Sequence, residues 1–210
     1  ALSCLEHFQR NESGLRESED PEYVHQARVA LRRLRSAIKL FTPVLPQDFV
    51  AAYGETWRTL ASALGDARNW DVFLEETLPP IHSAFPKDRD VTRLNRDGLR
   101  CARRARKAVT TLITLPEYPK LITEFTAAVF ALNDGLPITL KEFAQTQLSS
   151  HAKQASKLAS RHAELNALER HKMRIRFKKL RYTLEFFAPL LHNKHLSPYL
   201  SALNQLQDEL

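Results

Sequence analysis

Two stretches of the sequence match each other at one constant offset, and this repeat constrains the fold more than any other feature. The segment VHQARVALRRLRSAIKLFTPVLP overlays RHKMRIRFKKLRYTLEFFAPLLH, so that His25 falls on His171 and Pro43 on Pro189. The offset of 146 (171 minus 25) continues without a gap. Histidine, charge, proline and aromatic classes repeat in register over about forty residues, which chance rarely gives. The sequence therefore predicts a duplicated unit.

The repeated unit is predicted to be helical. Apolar residues recur at helical spacing, no alternating strand pattern is present, and glycine is scarce, with 5 in 210 residues. Prolines mark the breaks between segments. The predicted helices span residues 2–16, 21–42, 47–64, 66–78, 90–115, 117–132, 140–163, 166–190 and 195–210. We therefore predict an all-α fold.

The repeat also predicts how the chain is divided. We assign residues 1–210 to a single domain, with a first helical repeat at 1–115 and a second, incomplete one at 116–210. Leu210 falls on Leu64, whereas the first repeat continues for about fifty residues after Leu64. The closing helices of the second repeat are therefore expected to be missing from a truncated chain.

Each repeated helix carries a stripe of positive charge. At about 100° per residue, the cations of the first helix fall within an arc of about 80°, opposite its apolar side chains. Like charges at this spacing destabilise a helix by a few tenths of a kcal/mol per pair. The presence of such a stripe therefore needs a physical explanation. The first stripe is His25, Arg28, Arg32, Arg35 and Lys39, and its copy is His171, Arg174, Lys178 and Arg181. Glu185 replaces Lys39 in the copy.

Two further segments carry cations at helical spacing. The third stripe contains Arg93, Arg96, Arg100, Arg103, Arg104 and Lys107, and a weaker fourth contains Lys153, Lys157 and Arg161. One interpretation is a set of solvated faces that distant acids neutralise. The other is that the stripes, with almost no acids among them, converge on a shared groove or pore. Guanidinium groups pair bidentately with phosphate oxygens, and the net charge of +7 favours a polyanionic partner.

Neither the histidines nor the segment LGDARNWDVF indicates catalysis or a metal site. His25 and His171 stand among arginines, which repel metal ions, and their stripes lack the carboxylate or hydroxyl of a nucleophile–base–acid set. Asp66 and Asp71 are predicted to pair with surplus arginines or to cap a helix. We therefore expect no catalytic residue, no metal site and no cofactor.

The cysteine pattern and the hydropathy of the chain indicate the cellular compartment in which we expect the protein. Cys4 and Cys101 form no CxxC motif, so a reducing compartment is the default. No apolar run approaches a membrane span, and no signal peptide is visible. We expect a cytoplasmic protein that does not engage a membrane.

The motifs HxxRxxxRRLR at His25–Arg35 and HxxRxxxKKLRY at His171–Tyr182, together with LGDARNWDV, resemble the CHAD domain family over essentially the whole chain. The resemblance implies two four-helix-type bundles related by a pseudo-twofold axis, with a basic cavity between them. It also implies non-catalytic binding of inorganic polyphosphate, association with polyphosphate granules and a preceding CYTH-type domain in the same polypeptide. Asn69 departs from the family, which usually has an aspartate there.

Two alternatives remain open at this point. Basic helical proteins commonly bind nucleic acid, but single-strand binding favours aromatics on the basic face. Only Tyr182 lies near the stripes, whereas Trp57 and Trp70 are predicted to be packing residues. An enzyme or accessory domain of polyphosphate or triphosphate processing would need carboxylates that hold Mg²⁺ near the cations. Asp66 and Asp71 are the only candidates for that role.

Overall fold

The computed structural model describes residues 1–132, 139–191 and 193–209, and these residues form helices and turns without any strand. The predicted all-α fold is therefore confirmed. The α-helices are α1 Leu2–Gln9, α2 Glu12–Glu17, α3 Pro21–Phe41, α4 Gln47–Val72, α5 Leu78–Ala84, α6 Arg89–Thr114, α7 Glu117–Ala131, α8 Leu140–Ala159, α9 Ala167–Phe187 and α10 Asn193–Glu209. Short 3-10 turns lie at Thr42–Val44, His162–Glu164 and Ala188–Leu190, and a π turn lies at Phe73–Thr77.

The chain forms two compact units, Ala1–Asn133 and Asp134–Leu210. Helices α1 to α7 belong to the first unit and α8 to α10 to the second. The division between the units lies after α7, whereas we drew the repeat boundary before it, between residues 115 and 116. The repeat boundary rests on sequence correspondence and stays a prediction.

Helix α7 packs in the first unit through an aromatic cluster. Its Phe125 is fully buried. The Phe125 ring centroid lies 5.8, 5.1 and 5.1 Å from the ring centroids of Phe49, Tyr53 and Trp57. Trp57 is itself fully buried, which confirms its predicted packing role. Aromatic edges and faces in such contacts add stability beyond the apolar area they bury.

Local sequence signals explain where the two repeated helices begin. Asp20 caps α3 by accepting a hydrogen bond from the Glu22 N–H, and Pro21 occupies the first turn. Asn166 and Glu169 form a capping box at the start of α9. Both helices have 21 residues, and a three-residue 3-10 turn follows each of them. The element boundaries thus keep the offset of the repeat, while duplication itself stays a prediction.

The predicted helix break at residue 65 is wrong. Gly65 and Asp66 lie within α4, which continues to Val72. A glycine inside a helix costs only about 1 kcal/mol relative to alanine, which packing easily offsets. Arg28 of α3 packs over this position, with its Nε 3.8 Å from an ideal Cβ position at Gly65, which is an ordinary van der Waals distance.

Two other predicted boundaries also differ from the structure. The first predicted helix is divided at Arg10–Asn11 into α1 and α2. The prolines of LPPIHSAF do not end a helix, because Pro79 and Pro80 lie in the first turn of α5. In a first turn a missing N–H removes no intrahelical hydrogen bond.

The core of each unit follows the apolar faces of its helices. In the first unit the largest fully buried side chains include Phe8, Leu31, Leu34, Leu64, Val109 and Ile113. In the second unit the core cluster is Ala155, Leu165, Met173, Phe177, Leu180, Leu184, Leu196 and Leu203. Burial of such side chains from water is the main source of stability in both cases.

Gly14 provides a test of how α2 packs on α3. A Cβ atom at Gly14 would overlap the ring of Tyr23. We expect Gly14→Ala to lower the free energy of unfolding by about 1–2 kcal/mol, because overpacking exceeds the gain in helix propensity of about 1 kcal/mol. Urea denaturation measures the change.

Gly54 of α4 is the matched control, because no heavy atom lies within 4 Å of a Cβ built there. Gly54→Ala is expected to raise the free energy of unfolding by about 0.5–1 kcal/mol. A stabilised Gly14→Ala variant would contradict the observed packing of α2.

Candidate functional site

The cationic stripe of α3 is half-buried at its start and exposed at its end. His25, Arg28 and Arg32 are half-buried, whereas Arg35 and Lys39 are exposed. The Nδ1 atom of His25 is buried and has no hydrogen-bond partner among the described residues. The first turns of α3 therefore hold their cations in place by packing, while the last turns present theirs to solvent.

The corresponding stripe of α9 has the opposite gradation, since it is exposed at its start and half-buried after it. His171 is exposed, and Arg174, Lys178 and Arg181 are half-buried. The Arg174 Nη1 donates a hydrogen bond of 2.7 Å to the Gln207 carbonyl, which ties α9 to α10. Part of this stripe therefore has a structural role in addition to carrying charge.

Arg181 is partly compensated by its neighbours. Its Nη1 lies 3.3 Å from Glu185 Oε1, and its guanidinium carbon lies 5.0 Å from the centroid of the Tyr182 ring. Glu185 occupies the position that Lys39 holds in the first unit. The α9 stripe is consequently less positive than its α3 counterpart.

Helix α6 presents its cations on the face opposite its packing face. The buried residues of α6 are Gly98, Ala102, Val109 and Ile113. Arg106, on the packed side, donates a hydrogen bond of 2.8 Å to Asp71 Oδ1 of α4. Both α3 and α6 pack mainly on α4. The structure therefore gives each of these helices its own cationic face within the first unit.

The first half of the α6 stripe contains an acid. Asp97 lies 3.9, 4.0 and 3.3 Å from the nearest nitrogen atoms of Arg93, Arg96 and Arg100. The expectation that almost no acids lie on the stripes is wrong for this half. A carboxylate shared by three arginines lowers the positive potential there.

The second half of the α6 stripe is uncompensated. Arg103, Arg104 and Lys107 are exposed and make no ion pair with any described residue. Lys153 and Lys157 of α8 are likewise exposed and make no ion pair within the described part of the chain. We call Arg103, Arg104 and Lys107 the α6 basic patch, and it is the strongest exposed cluster of the predicted set.

The acids of LGDARNWDVF have different roles. Asp71 is only 3% exposed and pairs with Arg106, which confirms its predicted structural role. Asp66 is exposed and makes neither an ion pair nor a cap with a described residue, so its predicted pairing is wrong. Arg68 between them reaches Glu75 and Glu76 at 3.6 and 3.7 Å.

Other chemical features are few in the described ranges. No group of three or more His, Cys, Asp or Glu side chains there could hold a metal ion. None of the helices traced in those ranges has both the length and the apolar character that crossing a bilayer requires.

Sequence reasoning missed one group of cations in the second unit. Lys172, Arg176 and Lys179 line a cavity of about 420 Å³ between α8 and α9. These residues lie off the stripe of His171. Lys179 is part of the repeated motif, where it corresponds to Arg33, but Lys172 and Arg176 correspond to Gln26 and Ala30, so the repeat gave no reason to select them. Their own i, i+4, i+7 spacing on α9 is the sequence signal that would have identified them as one cationic face.

A basic, all-helical domain with cationic helix faces is the class that these observations define. The CHAD domain model matches residues 1–210, so the chain belongs to the CHAD family, whose helical domains are connected with polyphosphate. The predicted resemblance is confirmed.

Two solved structures are similar to this chain. The CHAD domain from the plant Ricinus communis is 36% identical, with a TM-score of 0.84 over 98% of this chain and 69% of that one. PptA from Streptomyces chartreusis is 14% identical, with a TM-score of 0.67 over 98% of this chain and 78% of that one, and shows the fold alone. The comparison with curated proteins gave no match.

Proposed function

We propose that this protein binds inorganic polyphosphate without catalysing a reaction on it, and that cations of both repeats line the basic cavity that holds the polymer. The observation that carries the proposal is the α6 basic patch, three exposed cations that no described carboxylate neutralises. Polyphosphate carries a negative charge on every unit, so a row of guanidinium and ammonium groups matches it along its length. Charge-assisted pairs of this kind are about twice as strong as neutral hydrogen bonds.

The absence of aromatic residues from α6 supports polyphosphate over single-stranded nucleic acid. The sequence of α6, Arg89–Thr114, contains no Phe, Tyr or Trp. Tyr182, the aromatic residue nearest the stripes, is 7% exposed and therefore offers no platform for a base. Stacking of bases on aromatic rings is a main source of affinity for single strands.

The positions of the acids support binding without catalysis. A polyphosphate hydrolase would need carboxylates that hold Mg²⁺ beside the cations. Asp71 is buried and paired with Arg106, whereas Asp66 is exposed on the surface of α4 and makes no ion pair with a described residue. The two acids that sequence analysis offered for metal binding are therefore not placed as a pair of ligands.

Direct binding tests the proposal. We expect long-chain polyphosphate to bind at least about tenfold more tightly than single-stranded RNA of matched charge at physiological salt, as measured by fluorescence anisotropy. Equal affinities would contradict the proposal and favour the nucleic-acid alternative. Phosphate release in the presence of Mg²⁺ or Mn²⁺ would contradict the non-catalytic part of it.

A further inference from the structure

The second unit contains a small basic cavity between α8 and α9. Its volume is about 420 Å³, and four of its lining residues are cations: Lys157 of α8 and Lys172, Arg176 and Lys179 of α9. Gln154 and Ile175 contribute to the wall, and no carboxylate does. Like charges brought together in this way repel one another, so the cavity is suited to an anion.

This cavity is separate from the predicted stripe of α9. At about 100° per residue, Lys172, Arg176 and Lys179 lie about 150° around the helix from the stripe that His171 begins. The buried residues of α9, such as Leu180, lie between the two sets. Only Lys157 was part of the predicted polyphosphate set.

The cavity holds its arginine in place. Arg176 Nη1 donates a hydrogen bond of 2.5 Å to Gln154 Oε1 across the α8–α9 interface. This bond directs the guanidinium toward α8, and a planar guanidinium can pair bidentately with phosphate oxygens. A volume of about 420 Å³ suits a small ligand better than a long polymer.

We propose that this α8–α9 cavity is a separate site for a short, multiply charged phosphate group, either a free diphosphate or the end of a longer chain. The site goes beyond the proposed polyphosphate surface, because it uses cations of α9 that lie off the stripes. Its ligand is recognised through two or more adjacent phosphoryl charges that face Lys172, Arg176 and Lys179 together.

His151 of α8 provides a reporter beside the cavity. Its Nδ1 lies 2.8 Å from Thr183 Oγ1, whose hydroxyl donates a hydrogen bond to the Lys179 carbonyl, so the imidazole donates through Nδ1. Burial, and then the charges of Lys179 and Arg176, lower the pKa of His151 below its ordinary value. An anion bound against those two cations offsets their charge and raises this pKa again.

The experiment follows the His151 ring signal by NMR as a function of pH, with and without saturating pyrophosphate, at ionic strength matched with KCl. We expect pyrophosphate to raise the pKa of His151 by about half a unit or more. Absence of a rise at saturation would overturn the site.

Two charge-reversal variants test whether the rise in the pKa of His151 comes from binding in the cavity. Lys172→Glu is expected to weaken pyrophosphate binding about tenfold and to abolish the rise. Lys141→Glu makes the same charge change on an exposed position of α8 that does not line the cavity, and should leave the rise intact. A rise that persists in Lys172→Glu would overturn the site, because it would reflect general screening.

A parallel titration with long-chain polyphosphate at equal phosphate concentration identifies the source of the ligand. A rise with pyrophosphate alone supports a free diphosphate as ligand, and a rise with both supports a chain end. The two proposals fail separately, since loss of the His151 response leaves polymer binding by the α6 basic patch unaffected.

Discussion

Replacement of Arg103, Arg104 and Lys107 by glutamine is expected to weaken long-chain polyphosphate binding about a hundredfold, or about 2.7 kcal/mol. Hydrogen bonds to charged groups contribute about 1.5–3 kcal/mol each, so the loss of three such contacts readily reaches this value. The melting temperature should hardly change, because these side chains are exposed and make no ion pair with a described residue. Anisotropy titration and thermal denaturation measure the two quantities.

The same helix offers a matched control for this variant. Replacement of Arg93, Arg96 and Arg100 by glutamine removes the same formal charge from the half of α6 that Asp97 already compensates. We expect a loss below about tenfold. Equal losses in the two variants would mean that total charge decides the affinity, and wild-type affinity in the first variant would remove α6 from the binding surface.

Salt dependence gives a second readout for the α6 basic patch. Each phosphate contact releases counterions, so the logarithm of the affinity falls linearly with the logarithm of salt concentration. The variant at Arg103, Arg104 and Lys107 should show a shallower slope than the wild-type protein. An unchanged slope would indicate that these cations do not contact the polymer.

Removal of Arg106 is expected to have the largest effect on stability. Its partner Asp71 is 3% exposed, and the second carboxylate oxygen has no hydrogen-bond partner among the described residues. Arg106→Leu therefore leaves a buried, unpaired carboxylate, which costs about 3–5 kcal/mol. Urea denaturation measures the loss, and a change below about 1 kcal/mol would contradict the buried pair.

The double variant Asp71→Leu/Arg106→Leu is the control for that result. Replacement of both charges by apolar side chains should restore most of the lost stability, since neither charge is then left without a partner. Polyphosphate affinity of the Arg106→Leu variant, measured under folded conditions, should stay within about twofold of wild type. These results would show that Arg106 stabilises the fold, whereas the neighbouring exposed arginines of α6 bind the polymer.

The features of the fold that the sequence predicts well are those with local causes. The starts of α3 and α9 follow from the capping residues Asp20 and Asn166 and from apolar periodicity within each helix. The break predicted at Gly65 fails because a glycine is a weak local signal, and packing of α3 on α4 overrides it.

The candidate site depends on contacts that spacing alone does not give. The stripes are visible on a helical projection, but the pairing of Asp97 with three arginines depends on side-chain conformations. The pairing of Asp71 with Arg106 joins residues 35 positions apart through the packing of α4 on α6. The α8–α9 cavity likewise exists only once two helices meet.

The π turn at Phe73–Thr77 has a consequence for how this family can vary. It joins α4 to α5 with one residue more than an ordinary α-helical turn would use. Deletion of a single residue there would leave four residues, the number that an α-helical turn uses, so α4 and α5 would join with the buried Leu78 still facing the core. The π turn is therefore a place where the chain can lose one residue without a change in how α5 packs, and relatives are expected to differ in length here more readily than within α4.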